Sequence, residues 1–342
     1  MRVLYQPLDR EYRPRHSFFY GRFVPYPEVP ERVESILASL RADRRFSIES
    51  PAAAHSVWEL AEEALAEVHD AGYLRTLESV CRKLKAGEEF FPGVIQKAPL
   101  LLRSQYARVR ACYYTVDSST PLLESSFHAA MGAAATALAC AEALASGERA
   151  IYGLMRPPGH HAGREFWAGY CLINNAALAA ARLTKLGKVA ILDVDYHHGN
   201  GTQDIFYERD DVLYVSLHCR PEEAYPYIAG AHEESGSGRG LGFNRNFPLP
   251  SGTGWKDYAP ALETALEAIQ AFAPATLVVS LGFDALEGDP IGSFRLQPED
   301  FRRIGARIGQ LGLPAAVIQE GGYLLQSLGS SAIQFFDGLA IP

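Results

Sequence analysis

No hydrophobic run in the sequence is predicted to be long enough to cross a membrane. Its most apolar stretch, Ala129 to Ala141, is rich in alanine and covers only thirteen residues, whereas a transmembrane helix needs about 20. The first residues, Met1 to Pro7, contain no apolar core of the kind found in signal peptides. We therefore expect no signal peptide, no membrane span, and a tightly packed helix at Ala129–Ala141.

Cysteine is scarce, and its five copies are scattered along the chain. They are Cys81, Cys112, Cys140, Cys171 and Cys219. Their positions show neither the close pairs of a structural zinc site nor the density of a disulfide-bonded secreted protein. The sequence therefore predicts free thiols and a cytoplasmic location.

Basic residues are fewer than acidic ones: the sequence has 32 lysines and arginines and 40 aspartates and glutamates, which gives a net charge of -8. This balance argues against nucleic-acid binding and suits a cationic ligand. The 342 residues contain no internal repeat and no low-complexity linker. With 48% hydrophobic residues, the chain can bury a large core, so we expect one domain covering residues 1–342.

What the sequence does contain is a set of apolar runs that end abruptly in reactive side chains. The clearest is Val189–Leu192, which reads as a strand buried on both faces of a parallel sheet. Asp193, Asp195 and His197 follow it on alternate positions, so their side chains can point the same way.

Three further runs have the same form, each followed at once by polar residues. Ala150–Leu154 leads into Arg156–His161, Leu277–Leu281 into Gly282–Asp284, and Ala315–Ile318 into Glu320–Tyr323. Helical patterns at Trp255–Phe272 and Pro298–Leu311 alternate with these runs. The pattern predicts an α/β fold with a central parallel sheet flanked by helices, and an active site at the carboxyl ends of the strands.

A metal site is predicted at Asp195, His197 and Asp284. Two carboxylates and one neutral imidazole balance a divalent charge and leave a coordination position free, as in catalytic zinc sites. The oxygen-rich ligand set also suits Fe(II), Co(II) or Mn(II). Zinc is the ion we expect.

Two adjacent histidines, His160 and His161, stand in a loop braced by proline and glycine. A carboxylate partner raises the pKa of a histidine, and a neutral amide does not. We therefore hypothesise that Asp193 pairs with His160 and keeps it cationic. Asn200 would orient His161, which is then free to take a proton from the metal-bound water as general base.

Tyr323 follows two glycines that allow the backbone to approach a ligand closely. We expect its phenol to donate a hydrogen bond to the oxygen of a tetrahedral intermediate, where it stabilises charge only as that charge develops.

Taken together, these motifs resemble the zinc-dependent histone deacetylase superfamily. The resemblance rests on Arg156–His161, Asp193–Thr202, Val215–His218, Leu281–Pro290 and Glu320–Tyr323, and it extends back through Val68–Leu74 to Tyr26–Arg32. Within that superfamily, Phe206–Arg209, Glu223–Pro226 and the chain length look most like the bacterial acetylpolyamine amidohydrolases.

The resemblance implies site residues beyond those argued above. It implies a potassium ion held by Asp193, Asp195, His197, Ser216 and Leu217, and a second one on carbonyls of Phe206, Arg209, Val212 and Phe243. It places Gly169, Tyr170, Tyr225, Ile291 and Gly321 along a narrow substrate tunnel. It puts Arg32 near a channel for acetate release.

The region from Leu84 to Ser126 reads as irregular and is long for a compact domain, which is typical of functional loops. In the polyamine-specific relatives a similar insertion builds a homodimer and narrows the active-site mouth with acidic side chains. Arg108 stands here where one such acid is expected. Asp117 and Glu124 are our candidates for binding a substrate ammonium.

We therefore expect a zinc-dependent hydrolase of linear amide C–N bonds that removes acetyl groups from amines, with acetylpolyamines as the favoured substrates. The rival within the enzymes is a protein lysine or small-acylamide deacylase. An arginase-type ureohydrolase is disfavoured because its dimetal site needs additional aspartates. A non-catalytic acyl-lysine or polyamine binding protein would need neither His161 nor Tyr323.

Overall fold

A computed structural model describes residues 1–51 and 63–339. Its centre is an eight-stranded sheet in the spatial order β4-β1-β5-β10-β9-β6-β7-β8, in which all neighbouring strands run parallel. A separate antiparallel hairpin is formed by β2 and β3. The strands are β1 Arg2–Tyr5, β2 His16–Phe19, β3 Arg22–Pro25, β4 Ser47–Glu49, β5 Ala150–Leu154, β6 Val189–Asp193, β7 Val212–Cys219, β8 Asn244–Leu249, β9 Thr276–Leu281 and β10 Ala315–Gln319.

Helices cover both faces of the sheet. They are α1 Glu31–Ala42, α2 Ala71–Cys81, α3 Pro99–Leu102, α4 Ala107–Ala111, α5 Ser126–Ala145, α6 Asn175–Leu183, α7 Asn200–Phe206, α8 Trp255–Phe272, α9 Pro298–Gly309 and α10 Leu325–Gly338. One hydrophobic core joins α2, α5 and α6 to the sheet, and a second joins α1, α8, α9 and α10 to its other face. Alternate strand residues enter opposite cores: Ile151 enters the first core and Tyr152 the second.

The predicted arrangement of strand ends is confirmed. The four runs identified in the sequence form β5, β10, β9 and β6, which are adjacent in the sheet and parallel. Their carboxyl ends therefore lie along one edge. The predicted helices at Trp255–Phe272 and Pro298–Leu311 are also present, the second ending at Gly309.

The alanine-rich helix α5 is longer than predicted. It runs for 20 residues from Ser126 to Ala145, and Ser126 Oγ accepts a hydrogen bond from the amide of Leu123. By length and composition α5 is the one helix in residues 1–51 and 63–339 that is apolar enough to cross a membrane, but most of it is buried inside the protein. Leu8 packs so closely on Gly132 that a Cβ there would lie 3.0 Å from it. The prediction of a tightly packed helix is confirmed.

The region from Leu84 to Ser126 contains the short helices α3 and α4 and is otherwise mostly irregular. An isolated bridge between Phe90 and Leu122 closes it. Its surface exposes several large apolar side chains, among them Leu100 and Tyr106.

Candidate active site

A buried cluster of metal-ligating side chains lies at the carboxyl ends of β6 and β9. Asp195, His197 and Asp284 each offer one ligand atom, and these three atoms lie within 4.8 Å of one another. The Nδ1 atom of His197 is 3.0 Å from Oδ2 of Asp284. Backbone amides hold the carboxylates: Gly321 N donates to Asp195 Oδ2 at 2.8 Å, and Tyr196 N donates to Asp284 Oδ1 at 3.0 Å.

The cluster suits a divalent cation, and two glycines make room for its carboxylates. A Cβ at Gly282 would lie 2.1 Å from Asp195 Oδ2, and one at Gly321 would lie 2.4 Å from Asp284 Oδ2. Burial and the neighbouring charge of Asp195 raise the pKa of Asp284 to about 7. Two buried carboxylates side by side are unfavourable unless a positive charge joins them. This donor set therefore fits the predicted ion.

The two histidines of the β5 loop have the partners expected from the sequence. His160 Nδ1 lies 3.1 Å from Asp193 Oδ2, and His161 Nδ1 lies 2.7 Å from Asn200 Oδ1. Burial lowers the pKa of His160, but the carboxylates of Asp195 and Asp193 outweigh it and raise that pKa to about 10. Burial and the positive charge of His160 lower the pKa of His161 well below its ordinary value. The pair thus has one cationic and one neutral member.

Tyr323 lies on the loop after β10 and is 8% exposed. Asp289 fixes this loop, because its Oδ2 accepts hydrogen bonds from Tyr323 N at 2.7 Å and Leu324 N at 3.1 Å. Burial raises the pKa of the Tyr323 phenol well above its usual range, so the phenol stays protonated and able to donate. The buried Arg32 guanidinium stacks 4.6 Å from its ring centre and donates to Gly322 O at 2.6 Å.

These groups meet at one cavity of about 520 Å³. His161, His197 and Tyr323 line it, as do the predicted tunnel residues Gly169, Tyr170, Tyr225 and Ile291. Gly321 lies beneath it against the metal-ligating carboxylates. A larger depression of about 930 Å³ surrounds Arg2 and Arg149 at the amino ends of β1 and β5, on the opposite edge of the sheet.

The two predicted ammonium ligands do not line this cavity. Asp117 lies behind its wall, where Oδ2 accepts hydrogen bonds from Gly169 N at 2.7 Å and Tyr225 OH at 2.6 Å. Glu124 is exposed on the insertion and accepts a hydrogen bond from Gly87 N at 3.2 Å. The structure therefore brings Asp117 to the site as a wall support and leaves Glu124 away from it.

Comparison with known proteins identifies the family. The histone deacetylase domain matches residues 26–339. The chain belongs to the histone deacetylase family. It is 37% identical over 345 residues to acetylpolyamine amidohydrolase 2 of Pseudomonas aeruginosa, with 99% of this chain and 98% of that protein aligned. It is 40% identical over 346 residues to acetylpolyamine amidohydrolase of Mycoplana ramosa, covering 99% and 100%.

A solved structure shows the same fold. The crystal structure of acetylpolyamine aminohydrolase from Burkholderia pseudomallei superposes with a TM-score of 0.93 at 40% identity, covering 99% of this chain and 98% of that chain. Histone deacetylases are generally zinc-dependent, in agreement with the cluster at Asp195, His197 and Asp284.

The residues expected to hold potassium in a histone deacetylase lie on or near β6 and β7. Ser216 on β7 is the register partner of Asp193 on β6, and Leu217 follows it. For the second position, Phe206 ends α7, Val212 begins β7, and Arg209 lies between them. The carbonyl of the remaining residue, Phe243, accepts a hydrogen bond from Tyr214 N at 3.0 Å.

Some supporting residues of this histone deacetylase site were missed by the sequence reasoning. The buried Glu320 carboxylate accepts hydrogen bonds from Gly159 N at 2.6 Å and His160 N at 3.1 Å, fixing the histidine loop. Tyr214 donates to Asp193 Oδ2 at 3.0 Å. The only sequence signal for these two was a polar group within or directly after an apolar strand. The β2–β3 hairpin, which supplies Phe19 and Tyr20 to the cavity, gave no such signal.

Proposed function

We propose that this protein hydrolyses the acetyl amide bond of acetylated amines, with acetylpolyamines as its preferred substrates. The observation that carries the proposal is the convergence of His161, Tyr323 and the metal-ligating cluster at one cavity. The walls beside them, including Tyr170, Tyr225 and Ile291, suit an aliphatic stem. The names of the relatives aligned over nearly the whole chain support the substrate class.

Zinc is the ion we propose for Asp195, His197 and Asp284, with Fe²⁺ or Co²⁺ as alternatives that this oxygen-rich ligand set also suits. When bound there, it would polarise the acetyl carbonyl and make a water molecule more acidic. Potassium would occupy the two positions on β7 and its neighbours described above, the first beside Asp193 and Ser216.

The side chains of the protein divide the proton transfers. Since Nδ1 of His161 faces Asn200, Nε2 is the nitrogen left to take the proton of the attacking water. His160 stays protonated beside Asp193 and stabilises negative charge. Tyr323 donates a hydrogen bond from its phenol to the oxyanion as the carbonyl becomes tetrahedral. When the C–N bond then breaks, the proton held by His161 passes to the nitrogen of the leaving amine.

The insertion from Leu84 to Ser126 is proposed to shape the cavity mouth and to form a homodimer. Its exposed apolar side chains, which include Leu100, Tyr106 and Val109, provide the surface that such a contact would bury. Sedimentation velocity tests this directly, and a monomer at micromolar concentration would refute it. We also propose a cytoplasmic location, since all five cysteines are free and buried.

A substrate panel tests the proposed function. We expect higher kcat/KM for acetylputrescine, acetylcadaverine and acetylspermidine than for an acetyl-lysine peptide. A preference for the peptide would favour the protein lysine deacylase. Absence of turnover for every substrate by the zinc-loaded protein would favour the binding protein.

A further inference from the structure

The charged groups at the cavity mouth are few. Within the described part of the chain, Glu223 is the only carboxylate that lines the 520 Å³ cavity, and Arg22 is the only lysine or arginine that does so. Both side chains are exposed to solvent. A substrate that carries a second amine must place that positive charge among these groups, because a buried ammonium without a carboxylate is unfavourable.

The other nearby acids are already occupied. Asp117 accepts two hydrogen bonds on Oδ2 from the cavity wall and two on Oδ1 from Ser119, whose amide and hydroxyl lie at 2.8 and 2.9 Å. On the insertion, Glu88 pairs with Arg108 at 2.7 Å, and Glu89 pairs with His16 at 2.7 Å. None of these three acids lines the cavity.

Glu223 is held in place but not neutralised. Its Oε2 accepts a hydrogen bond from Ser251 N at 2.6 Å, which fixes the side chain beside the opening. Its Oε1 lies 3.5 Å from Arg220 Nε, and these two side chains are 37% and 41% exposed. An exposed pair at that distance contributes little free energy, so a substrate ammonium can compete with Arg220 for the carboxylate.

Two tyrosines with a left-handed backbone conformation line the same cavity as Glu223. Among the described non-glycine residues, the four with positive φ are Tyr20, Tyr170, Tyr227 and Ala273, and the three tyrosines all line this cavity. Such strain collects at functional sites. The hydroxyls of Tyr20 and Tyr227 lie 2.6 Å apart and link the β2–β3 hairpin to the loop that carries Glu223. The faces of aromatic rings attract an ammonium ion.

We propose that Glu223, which lines the same cavity as Tyr20 and Tyr227, binds the distal ammonium of the acetylated amine and so selects cationic substrates. This inference rests on the proposed function and replaces Asp117 and Glu124 as the ammonium ligands. It predicts a preference that depends on the charge of the substrate and is independent of the hydrolytic step.

The test compares acetylcadaverine with N-pentylacetamide, which has the same chain length and no ammonium. Glu223→Gln keeps an oxygen for Ser251 N, so we expect kcat/KM for acetylcadaverine to fall about tenfold, mainly through KM, with the neutral amide unchanged. Glu222→Gln removes the same charge from the neighbouring residue, which does not line the cavity, and should change kcat/KM for neither substrate. Arg22→Gln should raise kcat/KM for acetylcadaverine.

Three outcomes would overturn the proposal. The first is an unchanged ratio of kcat/KM for the two substrates in Glu223→Gln. The second is a fall of kcat/KM for acetylcadaverine in Glu222→Gln that equals the fall in Glu223→Gln. The third is a tenfold loss of the preference for the charged substrate in Asp117→Asn alone. In every variant, turnover of the neutral amide shows whether the protein is folded and whether the hydrolytic step is intact. If the wild-type protein hydrolysed neither substrate, the proposed function itself would fail, which is distinct from failure of the Glu223 assignment.

Discussion

At the scale of single residues, substitution of Tyr323 distinguishes an effect on the chemical step from an effect on metal binding. Its hydroxyl is proposed to meet only the developing oxyanion, so Tyr323→Phe should lower kcat by about 10²–10³-fold. Metal content should not change, because Tyr323 is not a member of the metal-ligating cluster. Steady-state kinetics and metal analysis of the same preparation measure both quantities.

Tyr196 provides a matched control for that change. It also lines the cavity, but its hydroxyl lies 2.8 Å from Ser293 Oγ and so has a partner in the protein. Tyr196→Phe should leave kcat within a few-fold of the parent. A Tyr323→Phe protein with unaltered kcat would show that another donor serves the oxyanion.

Substitution of the two adjacent histidines should lower kcat by unequal amounts. His161 has an amide partner and a lowered pKa, whereas His160 has a carboxylate partner and a raised one. His161→Ala should therefore reduce kcat more than His160→Ala, and it should remove the limb of the pH–rate profile that belongs to the base. If His160→Ala alone removed that limb, the two roles would be reversed.

The partners of these histidines were predictable because both lie in the segment that begins at the carboxyl end of β6. Asp193 ends β6 and Asn200 begins α7. The role of Asp117 was not predictable in the same way. It depends on contacts with Gly169 and Tyr225, which are 52 and 108 residues away in the chain. No local periodicity encodes such a contact.

At the scale of elements, the loop after β9 holds the loop after β10 in place through hydrogen bonds. Asp289 accepts four backbone hydrogen bonds, from Ile291, Gly292, Tyr323 and Leu324. An asparagine has one acceptor oxygen and would leave half of these amides facing its NH₂ group. Asp289→Asn should lower the free energy of unfolding by about 1–3 kcal/mol. It should lower kcat by up to about 10²-fold, because Tyr323 is displaced.

Glu287 provides the control for this substitution. It lies on the same loop, and its carboxylate accepts a hydrogen bond at 2.8 Å from Gln297 on the protein surface. Glu287→Gln should preserve kcat. Chemical denaturation and kinetics of the two variants compare the effects, and equal kcat values would contradict a positioning role for Asp289.

The elements that position the site were predicted wherever an apolar run ended in polar residues. This signal located β5, β6, β9 and β10, because a strand buried on both faces is apolar along its whole length. The β2–β3 hairpin was missed. Its residues 16–25 pack partly on the surface, with Tyr20 and Phe23 exposed, so no continuous apolar run or clean alternation marks it. Glu223, the proposed ammonium ligand, was also missed, because it lies in an irregular exposed loop.

At the scale of the whole molecule, the sheet brings catalytic and metal-ligating side chains from distant parts of the sequence together at the carboxyl ends of its strands. Residues 160, 195, 284 and 323 converge because β5, β6, β9 and β10 are neighbours with parallel direction. The net charge of -8 adds a weak general attraction for cations. We propose instead that the few charged side chains at the cavity mouth select among acetylated amines.

The central claim is that hydrolysis depends on one divalent ion at Asp195, His197 and Asp284. Metal analysis combined with acetylcadaverine hydrolysis tests it most directly. We expect one tightly bound divalent ion per chain, loss of activity on chelation, recovery on addition of zinc, and neither ion nor activity in Asp284→Ala. Full activity after verified metal removal, or in Asp284→Ala, would contradict the claim.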